Sequence, residues 1–148
     1  MVVFADSNHS VVLQTVNYQF PQAGIGGDWN WDANFLDIAL EVKSEIGNWS
    51  IIDPCLTTWD LGLLAKWFSD LSQNQSVNTE LGFIEPNLSW ELVSSDETKK
   101  IIRMHFDLEC RPPNALDEEV FLDFSFDDSD LEKISRAFLS ELNKFPKR

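Results

Sequence analysis

The sequence predicts an α+β protein, an antiparallel β-sheet of about five to seven strands with two α-helices packed on one face. Three observations carry that prediction. Apolar and polar side chains alternate strictly along several segments; two other segments carry apolar residues at helical spacing; and consecutive strands follow one another without crossover helices, which leaves antiparallel pairing. The 148 residues are enough for one domain with a full core, and no repeat or boundary marks the chain, so residues 1–148 read as a single domain.

The first strand spans Val11 to Phe20, β-branched and aromatic, and closes at Pro21 before a loop with Gly24, Gly26 and Gly27. From Phe35 to Lys43 the alternation is clean, with Leu36, Ile38, Leu40 and Val42 on one face and Asp37, Glu41 and Lys43 on the other. Gly47-Asn48 turns the chain into Trp49–Ile52, and Pro54 is expected to end that strand. Thr57 with Asp60 three residues on makes a capped helix start, and Leu61, Leu64, Phe68 and Leu71, widened by Trp67, form its apolar stripe to about Asp70.

A polar linker from Ser72 to Glu80 precedes four further strand candidates: Leu81–Ile84, Leu88–Val93, Ile101–Cys110 and Glu119–Phe126. In the third, Ile102, Met104, Phe106, Leu108 and Cys110 alternate with Arg103, His105, Asp107 and Glu109. Arg111-Pro112-Pro113-Asn114 supplies the turn into the last strand. Ser129 is expected to cap a closing helix with Leu131, Ile134, Phe138, Leu142 and Phe145 on one stripe. The predicted sheet then has a wet face bearing Asp37, Glu41, Arg103, His105, Asp107, Glu109 and Asp123.

Composition narrows the function classes. The chain is 43% hydrophobic, with six tryptophans and eleven phenylalanines, a composition that packs instead of staying disordered. Its amino terminus lacks the basic and apolar regions of a signal peptide, and no segment stays apolar for the ~18 residues of a membrane span. A cytoplasmic protein is expected, in which Cys55 and Cys110 are buried thiols and the sequons go unused. The net charge is −14, and residues 1–98 hold 14 acids against Lys43 and Lys66 alone. Such a field repels nucleic acid and anionic membranes and speeds encounter with a basic protein.

The search for chemistry yields little. Asp28-Trp29-Asn30-Trp31-Asp32 begins like a calcium loop but has Ala33 where glycine belongs and Ala39 where a bidentate glutamate belongs. Trp29 and Trp31 can offer flat faces to a partner or fold back on the core. His9 and His105 have no accompanying nucleophile signature, and Cys55 and Cys110 lack the paired spacing of a zinc site. The acids Asp117-Glu118-Glu119 and Asp127, Asp128 and Asp130 suit a helix amino end. No catalytic residue, metal or cofactor is expected. The residues favoured for partner contact are Asp28, Trp29, Trp31, Asp32, Asp37, Glu41, Asp107 and Glu109.

Asp32-Ala33-Asn34-Phe35-Leu36, Trp49, Asp53-Pro54-Cys55-Leu56-Thr57-Thr58 and Leu81–Phe83 with Glu85-Pro86-Asn87-Leu88 together resemble the WapI-type immunity proteins of bacterial polymorphic-toxin systems. The resemblance covers roughly residues 11 to 126, with Phe35 where the family usually has tryptophan. It implies a non-enzymatic cytoplasmic protein that binds the carboxy-terminal domain of a cognate toxin, typically an RNA-cleaving nuclease. A secretion or assembly chaperone and a small ligand-binding or enzymatic domain remain the alternatives.

Overall fold

The structure is a computed structural model that describes residues 1–23, 30–116 and 118–148. Eight strands divide into two four-stranded antiparallel sheets, each in plain sequence order. The first contains β1 (Val2–Ala5), β2 (Ser10–Tyr18), β3 (Phe35–Ser44) and β4 (Gly47–Thr57), with the single-turn helix α1 (Trp31–Asn34) before β3. Helix α2 (Thr58–Ser72) follows β4 at once. The second sheet contains β5 (Glu80–Leu81), β6 (Leu88–Ser95), β7 (Lys100–Phe106) and β8 (Val120–Phe126), and helix α3 (Asp128–Lys144) follows it. A meander closed by a helix thus occurs twice, a topological repeat that no sequence periodicity announces.

The α+β class is as the alternation predicts, but the strands form two sheets where one was expected, and the described residues hold three α-helices where two were expected. Two sheets that each bury one face present more apolar surface than two helices can cover, so the sheets share a core with α2 and α3. The two strand sets alternate cleanly about it. Leu36, Ile38, Leu40 and Val42 are buried from β3, and Ile102, Met104 and Phe106 from β7. One continuous cluster of buried apolar residues joins both halves.

Strand β1, not foreseen in the sequence, supplies the centre of that cluster. Phe4 is fully buried, and its ring lies 5.9 Å from Phe68 of α2, 6.0 Å from Trp90 of β6, 6.1 Å from Phe124 of β8 and 6.0 Å from Phe138 of α3. The β1–β2 turn also covers the outer edge of β8: Ser125 N donates to Asp6 Oδ2 at 3.2 Å, and His9 Nε2 lies 2.6 Å from Asp123 O. An edge strand with occupied backbone groups resists pairing with another chain.

Local chemistry sets the element ends. Thr57 and Asp60 form a reciprocal capping box on α2, as expected. On α3 the cap is Asp127 and not Ser129: Asp127 Oδ1 accepts from Asp130 N at 2.8 Å and Asp130 Oδ2 from Asp127 N at 3.0 Å. Pro54 does not end β4. The strand passes through it because β4 is the outer strand of its sheet, where a missing N–H costs no ladder bond, and the register shift opposite Asp37 absorbs the extra residue.

The expected strand Ile101–Cys110 stops at Phe106. The Asp107 carboxylate accepts from Leu108 N at 2.8 Å and caps a 3₁₀ turn at Leu108–Cys110, with Leu108 at φ 46°. A short acid that captures the next backbone N–H turns the chain out of the ladder. The single wet face therefore does not exist. Asp37 and Glu41 lie on the outer face of the first sheet, Arg103, His105 and Asp123 on that of the second, and Asp107 and Glu109 belong to the turn.

Candidate functional site: an acidic surface around the 3₁₀ turn

The 3₁₀ turn and the β5–β6 loop (residues 82–87) separate two concavities lined by carboxylates. The larger, about 630 Å³, runs past the end of the second sheet and is lined by Glu80, Glu91, Asp107, Glu118 and Glu119, with Phe83 and Trp90 among its apolar walls. It exists because β5 pairs with β6 only at Glu80 and Leu81, so the loop after Leu81 leaves the β6 edge uncovered. The smaller, about 280 Å³, lies between β4, the loop and the turn, and its lining includes Asp32, Asp53, Glu85 and Glu109 but no basic residue. Pro86 and Asp107 border the first, Glu85, Asn87 and Glu109 the second, so the two form neighbouring parts of one surface.

The bases of the larger groove are already engaged. His105 Nε2 lies 3.0 Å from Glu91 Oε2. The Arg111 guanidinium donates to the carbonyls of Leu116 and Glu118, at 2.8 Å for the latter. On the same sheet Arg103 makes a two-pronged contact with Asp123, at 2.8 and 3.1 Å, with its guanidinium 4.0 Å from the Phe121 ring centre. That pairing holds the guanidinium even more firmly protonated and cancels one of the acids. The remaining carboxylates carry the field.

In the smaller pocket Asn87, 3% exposed, bridges two acids, its Nδ2 donating to Asp53 Oδ1 at 3.3 Å and to Glu109 Oε2 at 2.9 Å. Partial burial, followed by the charges of Glu109, Glu85 and Asp37, pushes the Asp53 carboxyl above its ordinary value. Neighbouring negative charges disfavour the ionised form of a carboxyl in this way. The arrangement favours an incoming cation.

The favoured contact residues are spread over this surface and beyond it. Asp32 and Glu109 line the smaller pocket, Asp37 acts on it through its charge, and Asp107 lines the larger groove. Glu41 sits apart on the outer face of the first sheet, 3.4 Å from Lys43, beside exposed Ile52. Trp31 is 40% exposed, and its ring meets Trp59 edge-on at 4.7 Å, so it is both seated and presented. Asp28 and Trp29 lie outside the described residues. Unforeseen were Asp53, Glu85, Glu80, Glu91, Glu118 and Glu119; the first two carry a legible signal, an acid directly before proline in a turn or bulge.

Both histidines are accounted for without a nucleophile. Among the described residues, His9 contacts the Asp123 carbonyl and Asp6, while His105 contacts Glu91. Among those residues, too, no helix is long and apolar enough to cross a membrane.

No curated protein and no solved structure matches the chain. The model of the immunity protein WapI-like family matches residues 2–146, nearly the whole chain and farther at both ends than the resemblance read from its motifs. The chain belongs to the immunity protein WapI-like family.

Proposed function

We propose that this protein neutralises a cognate toxin domain by forming a stoichiometric complex with it in the cytoplasm of the producing cell, with no chemistry of its own. Family membership over residues 2–146 is the observation that carries the reading. The acidic surface supports it: nine carboxylates line the two concavities, and the smaller has no basic lining residue. A nuclease domain that grips RNA presents lysines and arginines to the phosphates, so a partner with this surface competes for the same groups and meets them fast.

Within this reading Asp32, Asp37, Asp107 and Glu109 supply charge and Trp31 an aromatic contact; Asp28 and Trp29 are assigned the same roles from the sequence alone. Glu41 contributes only if the partner reaches the outer face of the first sheet.

The test is capture of partners by the tagged protein from a lysate of its own bacterium, washed at rising salt and identified by mass spectrometry. Recovery of the carboxy-terminal domain of a secreted toxin, followed by inhibition of that domain at one-to-one ratio, is the expected result. Electrostatic steering further requires association to slow between about 50 mM and about 500 mM salt, where the screening length shrinks several-fold. Equal rates at both would rule it out.

A further inference from the structure

Cys55 of β4 and Cys110 of the 3₁₀ turn, 55 positions apart, meet in the core with their sulfurs 4.0 Å apart. Both are buried. An Asp53 carboxylate oxygen joins them, and the three donor atoms all lie within 4.8 Å of one another. We propose that Asp53, Cys55 and Cys110 form a binding site for a thiophilic divalent cation of the zinc class, which clasps β4 to the 3₁₀ turn. The site shares Asp53 with the acidic pocket, and its test reads metal binding by the protein alone, so it can fail or succeed separately from toxin binding.

The geometry is close to what such an ion requires. Zinc–thiolate bonds of about 2.3 Å at tetrahedral angles put two sulfurs about 3.8 Å apart, so the sulfur pair needs a shift of only a few tenths of an ångström, and the carboxylate oxygen closes to about 3.5 Å from each sulfur by side-chain rotation. Asp53 also lines the 280 Å³ acidic pocket, so its carboxylate is the side from which an ion would reach the two buried thiols. Asn87, donating to both Asp53 and Glu109, orients the carboxylate from behind, as outer partners do in metal sites.

The charges around the three donors point the same way. Glu85, Glu109 and Asp37 crowd Asp53, and a cation would relieve that crowding. Because such an ion is bound by thiolates, binding displaces thiol protons and affinity rises with pH. The clasp already has a hydrogen-bonded base: Trp49 Nε1 of β4 donates to Cys110 O at 3.0 Å.

Cobalt is the probe. The reduced, full-length protein, stripped of metal by a chelator, is titrated with Co²⁺ while absorbance is followed. A thiolate-to-cobalt charge-transfer band in the near ultraviolet and strong visible bands of a tetrahedral ion, saturating at one equivalent and bleached by Zn²⁺, are expected. Cys55→Ser and Cys110→Ser remove the charge-transfer intensity. Asp53→Asn, at the pocket side where the fold tolerates it, weakens binding about tenfold or more. Absence of the band in protein whose two thiols both react after unfolding overturns the site, as does a band that persists in the serine variants.

Discussion

Thr58 Oγ1 donates to Asn34 Oδ1 at 2.8 Å, a side-chain hydrogen bond sealed in the core between the first turn of α2 and the end of α1. The same Asn34 oxygen accepts from Arg148 N at 3.0 Å, and its amide nitrogen donates to the carbonyls of Asn30 and Arg148, each at 3.0 Å. All four hydrogen-bonding positions of a fully buried amide are thereby filled. The Arg148 guanidinium then reaches Phe20 O, Pro21 O and Ala33 O, tying the residues after β2 to α1. Asn34→Ala strands several buried groups and is expected to cost about 3 kcal/mol, whereas Thr58→Val, which leaves the asparagine oxygen its Arg148 donor, costs about 1 kcal/mol. Urea unfolding of both variants and the double variant checks the difference, and an equal loss in the two single variants would contradict it.

The amino end of α3 gives a pH prediction. Hydrogen bonding from Asp130 N, the largest cause, holds the Asp127 carboxyl below its ordinary value. A carboxylate whose folded value is depressed contributes stability that is present above the unfolded value, about 3.9, and is lost as pH falls through the folded value. Asparagine also caps helices well, so Asp127→Asn isolates the charge. The melting temperature of the wild type should exceed that of the variant at neutral pH and converge on it only once the pH has fallen below the ordinary aspartate range. A gap that stays constant down to acid pH would assign the cap no ionic part.

Trp49 links the two halves through a donor that no other core residue can replace. Its Nε1 satisfies Cys110 O, and its ring stands edge-on to Phe106 at 5.4 Å. Trp49→Phe keeps an aromatic ring but loses the hydrogen bond and leaves a space, at an expected cost of about 2 kcal/mol by chemical denaturation. A loss no greater than that of an exposed substitution would show that the carbonyl finds water instead.

Elements with long, uninterrupted periodicity were legible in the sequence. The alternation over β3 and β7, the stripe of α2 and that of α3 as far as Phe138 place buried residues correctly, because a half-buried strand or helix must repeat with its own geometry, while Leu142 and Phe145 are only partly buried and Phe145 lies past the helix end. β1 was not, since Val2 and Phe4 are only two inward positions and a strand of four residues has no room for a pattern. The break at Asp107 escaped for the opposite reason. Leu108 and Cys110 continue the alternation of β7, and only the local bond from Leu108 N to the Asp107 carboxylate decides against it. The acidic pocket escaped because Asp32, Asp53, Glu85 and Glu109 come from four segments, and which acids converge is a property of topology. The closeness of Cys55 and Cys110 is of the same kind.

The surface itself is best tested by moving charge without moving structure. Glu85 lines the smaller pocket and Glu119 the larger groove, and both lie away from the hydrogen bonds that hold Asn87 and the 3₁₀ turn. Changing both to lysine alters the local field by four charges, while Glu45→Lys, in the β3–β4 turn at the far end of β3, changes the net charge elsewhere. If the toxin domain docks on the acidic concavities, Glu85→Lys with Glu119→Lys slows association about tenfold at low salt, and the effect fades as salt rises. Glu45→Lys should leave the rate within about twofold, because screened charges more than a Debye length away steer little. Melting temperatures of Glu119→Lys and Glu45→Lys should match the wild type, since exposed charges contribute little to folding. Equal slowing by the pair and, per charge, by the control would mean that the net −14 attracts the partner without directing it, and the docking face would lie elsewhere.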